Sequence, residues 1–239
     1  MQEKKYLMGI MTCKALLHKA DEQYEKYLQN IVNYPIIYLK FIGDPNIETE
    51  YIYDKEQNLL TLKCEDDYLN LPHKVYCFLQ AITQIFPNVT NVIKIDDDIT
   101  IDLHRLYELI VKYEHMSYVG KYFKCDECIS YYLSNKNEVY SLNPDFMQIP
   151  VYLEANSYCS GGTYFLNKES INIILDHPEF FPIIKGENTY KHLILKLPHN
   201  KQYFVNLFVF EDYNVGFILG KHNVLGLNIE NELAEAVKW

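Results

Sequence analysis

Three consecutive carboxylates, Asp96-Asp97-Asp98, are the residues of this chain whose type and spacing best suit a metal ion. They directly follow Val92-Ile93-Lys94-Ile95, a short and mostly β-branched run that is typical of a buried strand. Adjacent acids repel one another, so a folded cleft retains them only where a cation balances their charge. The Asp-x-Asp spacing suits Mg²⁺ or Mn²⁺, because these ions prefer oxygen ligands and keep positions open for substrate phosphates.

Two other structures would also place three acids together. A solvated acidic turn needs no metal, and it is the commoner setting of an isolated Asp-x-Asp pair. A calcium-binding EF-hand loop is excluded, because Ile101 occupies the position of its invariant glycine and Tyr107 that of its bidentate glutamate. The preceding strand favours a metal site, since the ligands of open α/β sheets gather at the carboxyl ends of strands.

Three further segments carry residues that ligand binding or catalysis could use. Gly161 and Gly162 open a short strand, and adjacent glycines let backbone N–H groups approach a ligand, although a tight turn needs them equally. Glu211 and Asp212 follow the apolar run 205–210, where partial desolvation raises the pKa of a carboxylate and suits it to act as a base. A helix N-cap is the alternative role of Asp212. Residues 121–157 are rich in tyrosine, which fits a core and a sugar-facing surface equally.

The elements that must position these residues follow in an order typical of a nucleotide-binding α/β sheet. In chain order, we expect strand 6–11, helix 21–32, strand 36–42, strand 59–63, a helix from Asn70 to Pro87, strand 92–95, a helix from Asp102, strand 118–120, a helix from Asn167 to about residue 175, and strand 205–210. The opening strand–helix–strand order predicts an α/β fold. The sequence shows neither an internal repeat nor a linker, which predicts a single domain.

Composition and charge exclude several classes of protein. The chain has 239 residues, of which 49% are hydrophobic, which is enough for a packed core and argues against disorder. Its net charge of −10 argues against nucleic-acid and anionic-membrane partners, which favour basic surfaces. An anionic substrate is still compatible with this charge, provided that a metal ion supplies positive charge locally.

Neither a signal peptide nor a membrane-spanning stretch is visible in the sequence. The sequence therefore predicts a cytoplasmic protein, or a soluble part of a longer one, with no membrane span. Its cysteines mostly lie in apolar surroundings that are typical of reduced core thiols. Cys125 and Cys128 form a single CxxC pair, and two thiolates do not complete a zinc site, so the pattern favours neither zinc nor a redox role there.

Four sequence blocks, taken together and in order, resemble the β-1,3-galactosyltransferase family, which is glycosyltransferase family 31 and includes Fringe-type enzymes. The blocks are Asp66-Asp67-Tyr68-Leu69-Asn70-Leu71-Pro72-His73-Lys74, Lys94-Ile95-Asp96-Asp97-Asp98, Tyr158-Cys159-Ser160-Gly161-Gly162-Thr163-Tyr164 and Glu211-Asp212-Tyr213-Asn214-Val215-Gly216. Any one block is a weak signal, but chance agreement of all four in this order is remote.

This resemblance implies a GT-A fold, which is a mixed α/β sandwich in a single domain. It implies a Rossmann-like, nucleotide-binding half at about residues 1–100 and an acceptor and catalytic half at about residues 101–239. The implied activity is an inverting transfer of a sugar from a nucleotide-sugar donor, usually a UDP-sugar, to a hydroxyl group of a glycan or glycoside acceptor. The implied cofactor is Mn²⁺ or Mg²⁺.

The resemblance also implies roles for the acidic residues. Asp98 is expected to bind the metal directly, while Asp96 and Asp97 hold the nucleotide ribose or metal-bound waters, with Asp96 also a candidate ligand. Asp212 matches the catalytic base of the family, and Glu211 is the second candidate for that role.

Other implied site residues lie outside the acidic segments. His222 stands where GT-A enzymes often place a third metal ligand, although a surface histidine is the commoner case. The remaining nucleotide-binding residues that we predict are Thr12, Lys74, Gly161 and Gly162.

The chain departs from the animal members of this family. We expect neither their N-terminal membrane anchor nor their stem, and Lys14, His18 and Lys19 stand in place of their arginine-rich segment after the first strand. Gly161-Gly162-Thr163 replaces a block in which many members carry a third glycine. These departures indicate a viral or microbial relative.

Two other functions would use part of the same residue set. A metal-dependent nucleotidyltransferase or phosphatase also pairs carboxylates, but the sequence has neither a P-loop nor a basic phosphate cradle. A non-catalytic carbohydrate-binding or scaffold protein on the same fold would need neither nucleotide nor metal. The retained aspartate triplet and the Glu211-Asp212 pair argue against that alternative.

Overall fold

The computed structural model of the chain describes residues 5–68, 70–125, 130–132, 150–152, 156–183, 204–205 and 210–238. Within these residues, an eight-stranded mixed sheet lies between two layers of helices. The predicted fold class, a mixed central sheet flanked by helices as in a GT-A sandwich, is confirmed.

The central sheet brings the predicted site segments to one edge. The strands that the structure describes are β1 (Tyr6–Met11), β2 (Ile36–Gly43), β3 (Tyr51–Asp54), β4 (Leu59–Leu62), β5 (Asn91–Asp96), β6 (Thr100–Ile101), β7 (Tyr118–Cys125), β8 (Ser130–Tyr132), β9 (Pro150–Tyr152), β10 (Asn156–Asn167), β11 (Phe204–Val205), β12 (Leu227–Asn228) and β13 (Val237–Lys238). The sheet order is β12-β7-β10-β5-β1-β2-β4-β3. Since β1 is parallel to β5, their carboxyl ends meet, and β10 runs antiparallel beside β5.

The helices divide between the two faces of this sheet. Those that lie in the described part of the chain are α1 (Leu17–Gln23), α2 (Leu71–Ile85), α3 (Leu103–Tyr113), α4 (Lys168–Leu175), α5 (Glu211–Lys221) and α6 (Glu230–Ala236). Side chains of α2, α4 and α5 join one hydrophobic cluster, and those of α1, α3 and α6 join the other. The remaining short strands form a three-stranded sheet of β11, β9 and β8 and a pair of β13 with β6.

Burial on both faces explains the composition of β1. Successive side chains of a strand point to opposite faces, so Leu7 packs on the α2 side while Met8 packs on the α1 side. At Gly9, a Cβ atom would lie 2.4 Å from the ring of Phe78, so glycine lets α2 approach the strand closely. Strands covered on both faces are apolar throughout, as β1 is.

Several predicted helix boundaries agree with the structure, and others shift. The Asp102 and Asn167 side chains cap α3 and α4 by accepting a hydrogen bond from the backbone N–H groups of Arg105 and Ser170, respectively. Asn70 precedes α2 as predicted but makes no side-chain cap, and its side-chain NH2 group donates a hydrogen bond to Asp67. The helix predicted at 21–32 begins earlier, at Leu17, and continues as a π-helical and then a 3-10 segment.

Other expectations concern larger parts of the chain. Among the described residues, no helix is long and apolar enough to cross a bilayer. The central sheet contains strands from both sides of residue 100, and the division into donor and acceptor halves stays a prediction. Cys128, most of the tyrosine-rich segment and residues 206–209 of the predicted strand 205–210 lie outside the described residues.

Candidate functional site

The carboxyl ends of β1 and β5 bring together two of the predicted nucleotide-binding residues. Met11 and Asp96 are paired in the register of these parallel strands, so the residues that follow them are neighbours. The Thr12 hydroxyl donates a hydrogen bond of 2.6 Å to the Asp97 carboxylate. The two segments are therefore joined at the edge of the sheet where α/β folds bind ligands.

The aspartate triplet forms a turn that a buried glutamine supports. The Gln23 side-chain amide donates to the backbone carbonyls of Asp96, at 2.9 Å, and Ile99, at 2.7 Å. Asp96 and Asp97 are half-buried, whereas Asp98 is exposed. Burial raises the pKa of Asp97, and the neighbouring aspartates add to this effect while the Thr12 hydroxyl opposes it.

Lys94 lies beneath the triplet and is surrounded by groups of opposite charge. Only 2% of its side chain is exposed. Its ammonium group donates to Asp96 at 2.6 Å and to the Gly161 carbonyl, and it lies 3.5 Å from the Glu211 carboxylate. Burial alone would lower the pKa of Lys94, but the charges of Asp96 and Glu211 outweigh it and raise that pKa.

The first turn of α5 holds two acids in different environments. Glu211 is buried, accepts a hydrogen bond from the Tyr164 hydroxyl, and has its pKa raised by burial to about 7 even though Lys94 opposes the shift. Asp212 is half-exposed and accepts hydrogen bonds from the Gly161 N–H at 3.0 Å and the Tyr213 N–H at 2.8 Å. The N-terminal end of a helix also stabilises negative charge.

The predicted glycine pair lies against these acids. A Cβ atom at Gly161 would come within 3.1 Å of the Glu211 carboxylate and 3.4 Å of the Asp212 carboxylate. A side chain at this position would therefore push on both acids. At Gly162 the carbonyl accepts a hydrogen bond of 2.7 Å from the Thr163 hydroxyl, and its contact with a nucleotide stays a prediction.

The first sequence block holds the loop after β1 in place. Lys74 is almost fully buried, forms an ion pair with Asp66, and donates to the Thr12 carbonyl at 3.1 Å. Asp66 also accepts hydrogen bonds from the backbone N–H groups of Lys14, at 2.7 Å, and Gly43, at 2.9 Å. This network fixes the backbone beside Thr12, and direct contact of Lys74 with a nucleotide stays a prediction.

The structure does not bring His222 to the aspartate triplet. His222 follows the C-terminal end of α5, with its Nε2 atom 2.8 Å from Nε2 of His177. Asp212 lies at the other end of this helix of 11 residues, which spans about 16 Å. The role of His222 as a metal ligand stays a prediction that this placement does not support.

The carboxylates fit a divalent ion that is shared with a ligand. Among the residues that the structure describes, no three histidine, cysteine, aspartate or glutamate side chains converge as a complete metal site. Mg²⁺ is commonly held by one or two carboxylates together with substrate phosphates and water. Asp98, exposed at the sheet edge, and Asp96, two residues before it, carry carboxylates of that kind.

Three residues of this site were not among those predicted from the sequence. They are Lys94, Gln23 and Tyr164. Lys94 carried a usable signal, because a charge inside an apolar strand needs a buried partner. Tyr164 closes the third sequence block, but its contact with Glu211 depends on how distant segments pack, as do the contacts of Gln23, which no local pattern marks.

Comparisons with known proteins identify a family and several solved structures. The chain matches the family described as Galactosyltransferase over residues 47–197, a range that contains the first three of the four sequence blocks. No curated protein sequence matches the chain.

Similar solved structures include a glycosyltransferase involved in the glycosylation of the major capsid of PBCV-1, with 12% identity, coverage of 84% of this chain and 82% of that chain, and a TM-score of 0.37. They also include the apo form of mouse xyloside xylosyltransferase 1, with 10% identity, coverage of 94% and 85%, and a TM-score of 0.41.

Proposed function

The chain belongs to the galactosyltransferase family, and on this premise we propose that it is a metal-dependent, inverting glycosyltransferase. It transfers a sugar from a UDP-sugar to a hydroxyl group of a glycan or glycoside acceptor. Membership of the family, predicted from the four sequence blocks, is confirmed by the match over residues 47–197. What we propose beyond family membership is the identity of the donor nucleotide, of the metal and of the catalytic base.

One observation carries the proposal. The Lys94 ammonium group contacts both Asp96 and the Gly161 carbonyl, and the Gly161 N–H donates to Asp212. Asp96, one of the carboxylates suited to bind a metal, and Asp212, the carboxylate suited to act as a base, therefore belong to one connected network. An inverting transferase needs a metal ion and a base at one site. The metal balances the charge of the leaving diphosphate, while the base serves the acceptor hydroxyl on the opposite side of the same anomeric carbon.

Asp212 is the better candidate for the base. It is half-exposed, and backbone N–H groups on two sides orient its carboxylate. Glu211 is buried against Lys94 and Tyr164, so an acceptor hydroxyl reaches it less readily. A base must lie within hydrogen-bond reach of the proton that it accepts.

Asp98 and Asp96 would hold the metal ion, and Thr12, Lys74, Asp97, Gly161 and Gly162 would bind the nucleotide. The metal, when bound, supplies positive charge to the diphosphate of the donor. The proposal does not extend to His222, because it lies at the far end of α5.

The transfer is a single displacement. Asp212 accepts the proton of the acceptor hydroxyl as the acceptor oxygen forms a bond to the anomeric carbon. The bond from that carbon to the phosphate oxygen breaks, and UDP departs with the bonding electrons. Attack from the face opposite to the leaving group inverts the anomeric configuration.

A thermal-shift panel with nucleotide-sugars, UDP and Mn²⁺ tests the proposal, followed by a transfer assay with the stabilising donor. A ligand at a hundredfold excess over its Kd raises the Tm by about 5–10 °C for a domain of this size. We expect such a shift with UDP and Mn²⁺, its loss with EDTA, and its loss in Asp98→Ala. The matched control is Glu235→Ala, which removes an exposed acid of α6.

Other outcomes would contradict the proposal in distinct ways. Pyrophosphate chemistry without sugar transfer would indicate a nucleotidyltransferase. If Mn²⁺ and UDP raise the Tm of Asp98→Ala as much as that of the wild type, Asp98 does not bind the metal. Absence of a shift with every nucleotide would overturn the transferase and favour a carbohydrate-binding protein.

A further inference from the structure

Lys94 occupies a position where a charge needs a specific reason. It lies within β5, in register with Gly9 of β1 on one side and Tyr164 of β10 on the other. Its side chain is 2% exposed. A buried ammonium group is destabilising unless ion pairs and hydrogen bonds compensate for its lost hydration.

The compensating groups come from three separate parts of the chain. They are the Asp96 carboxylate at the end of β5, the backbone carbonyl of Gly161 in β10, and the Glu211 carboxylate in the first turn of α5. The ammonium group also lies 5.7 Å from the centre of the Tyr164 ring. One side chain thus connects the strand end that bears the aspartate triplet to the helix that bears the candidate base.

Gly161 extends this connection to Asp212. Its carbonyl accepts a hydrogen bond from Lys94, and its N–H donates to Asp212 at 3.0 Å. These two groups belong to the two peptide units that meet at the Gly161 Cα atom, so a movement of the Lys94 ammonium group would act through Gly161 on the N–H that orients the Asp212 carboxylate. Glu211, adjacent to Asp212, is held by the same ammonium group.

We propose that Lys94 is a positioning residue that sets the separation between the metal-binding end of β5 and the base on α5. The inference rests on the proposed function and adds to it a residue that touches neither donor nor acceptor. The alternative is that Lys94 only neutralises buried acids. In that case its removal would lower stability without changing the geometry at Asp212.

Lys40 is a matched control, because it is a second buried lysine in the same sheet. It lies in β2, is 9% exposed and pairs with Asp21 of α1. Its ammonium group contacts no residue that we assign to the site. Lys40→Met therefore removes a buried cation from the sheet and leaves the connection to Gly161 intact.

The first readout is the Gly161 amide, which does not depend on activity. The chain has nine glycines, so selective ¹⁵N-glycine labelling gives a small set of amide resonances, and Gly161→Ala identifies the one of interest. We expect Lys94→Met to shift the Gly161 resonance and Lys40→Met to leave it in place. An unchanged Gly161 resonance in folded Lys94→Met would overturn the proposal.

A second variant applies if Lys94→Met does not fold. Lys94→Met combined with Glu211→Gln removes both members of the buried ion pair, and Glu211→Gln alone is its reference. Replacing both partners of a buried pair is tolerated better than removing one of them. A Gly161 resonance that is the same in the double variant and in its reference would also overturn the proposal.

The second readout is the rate of sugar transfer. Loss of a group that orients a metal ligand typically costs 10–100-fold, so we expect kcat of Lys94→Met to fall by about that factor. With Mn²⁺ at a saturating concentration, the donor KM should stay close to that of the wild type, and Lys40→Met should keep its kcat. Wild-type kcat in Lys94→Met, or an equal loss in Lys40→Met, would contradict positioning.

The two proposals fail in different ways. If the wild-type protein transfers no sugar, the proposed function is wrong, and the Gly161 amide still decides whether Lys94 positions Gly161. If the wild type is active while Lys94→Met changes neither readout, the proposed function stands and the role of Lys94 does not.

Discussion

Glu211 and Asp212 are adjacent in the first turn of α5, yet only Glu211 is buried. Glu211 lies against Lys94 and accepts a hydrogen bond from Tyr164, whereas Asp212 accepts hydrogen bonds from backbone N–H groups, including that of Gly161. The two neighbouring carboxylates therefore lie in different environments, one inside the protein beside a cation and one at the surface.

Replacing Asp212 with asparagine tests which acid is the base. The asparagine side-chain oxygen can still accept the hydrogen bond from Gly161, so the fold and donor binding should persist. General-base catalysis typically contributes about 10²–10⁴-fold, and we expect kcat of Asp212→Asn to fall by an amount in this range. Initial-rate kinetics and a thermal shift with UDP and Mn²⁺ measure the two effects separately.

Glu211→Gln is the comparison for that experiment. It keeps the shape of the side chain and removes the charge opposite Lys94. A larger loss of kcat in Glu211→Gln than in Asp212→Asn would reverse the assignment of the base.

The raised pKa of Glu211 predicts a pH-dependent stability. Burial raises the pKa of Glu211 from the ordinary value of 4.5 to about 7 in the folded protein. Between these values the folded state binds more protons than the unfolded state, so the free energy of unfolding falls as the pH rises. This contribution is fully present below the unfolded pKa, is lost by about pH 7, and amounts to about 3 kcal/mol.

Urea unfolding of the wild type and of Glu211→Gln, in the presence of a chelator, measures this contribution at about pH 5 and about pH 8. Gln resembles the protonated acid, so the wild type should lose stability relative to the variant as the pH rises. If the free energies of unfolding of the two proteins differ by the same amount at both pH values, Glu211 stays ionised beside Lys94 throughout.

The sequence predicts the part of the site that local patterns specify. A β-branched run followed by three acids predicts a buried strand that ends in a metal-binding turn, and β5 ends at Asp96 as expected. Capping residues likewise locate the starts of α3 and α4, because a cap is a contact between residues close in the sequence. These features depend on a few neighbouring residues.

Contacts between distant segments could not be predicted in the same way. The approach of Gly161 to Asp212 depends on the antiparallel pairing of β10 with β5 and on where α5 begins. Gly161 and Asp212 are distant in sequence but close in space. His222 is the reverse case, because it is close to Asp212 in sequence but lies at the other end of α5. Periodicity gives the type of an element, whereas the register and packing of that element decide which side chains meet.

Gly216 determines how closely the helix that bears Glu211 and Asp212 packs on the sheet. A Cβ atom at Gly216 would lie 2.5 Å from the Cβ atom of Tyr158 and 2.6 Å from the Ser157 carbonyl oxygen, both in β10. Neither group can move without the strand, so Gly216→Ala must push α5 away from β10. Overpacking of this kind costs about 1–3 kcal/mol, which we expect to see as a lower free energy of unfolding in urea.

Gly220→Ala is the matched control on the same helix. Among the residues that the structure describes, a Cβ atom there would meet only the Asn156 side-chain oxygen, at 3.5 Å, which is an ordinary contact. Because alanine favours a helix over glycine by up to about 1 kcal/mol, Gly220→Ala should leave stability unchanged or raise it. Gly216→Ala should also lower kcat, since it displaces the turn that carries Asp212, whereas Gly220→Ala should not. Equal stability of the two variants would show that α5 does not depend on close packing at Gly216.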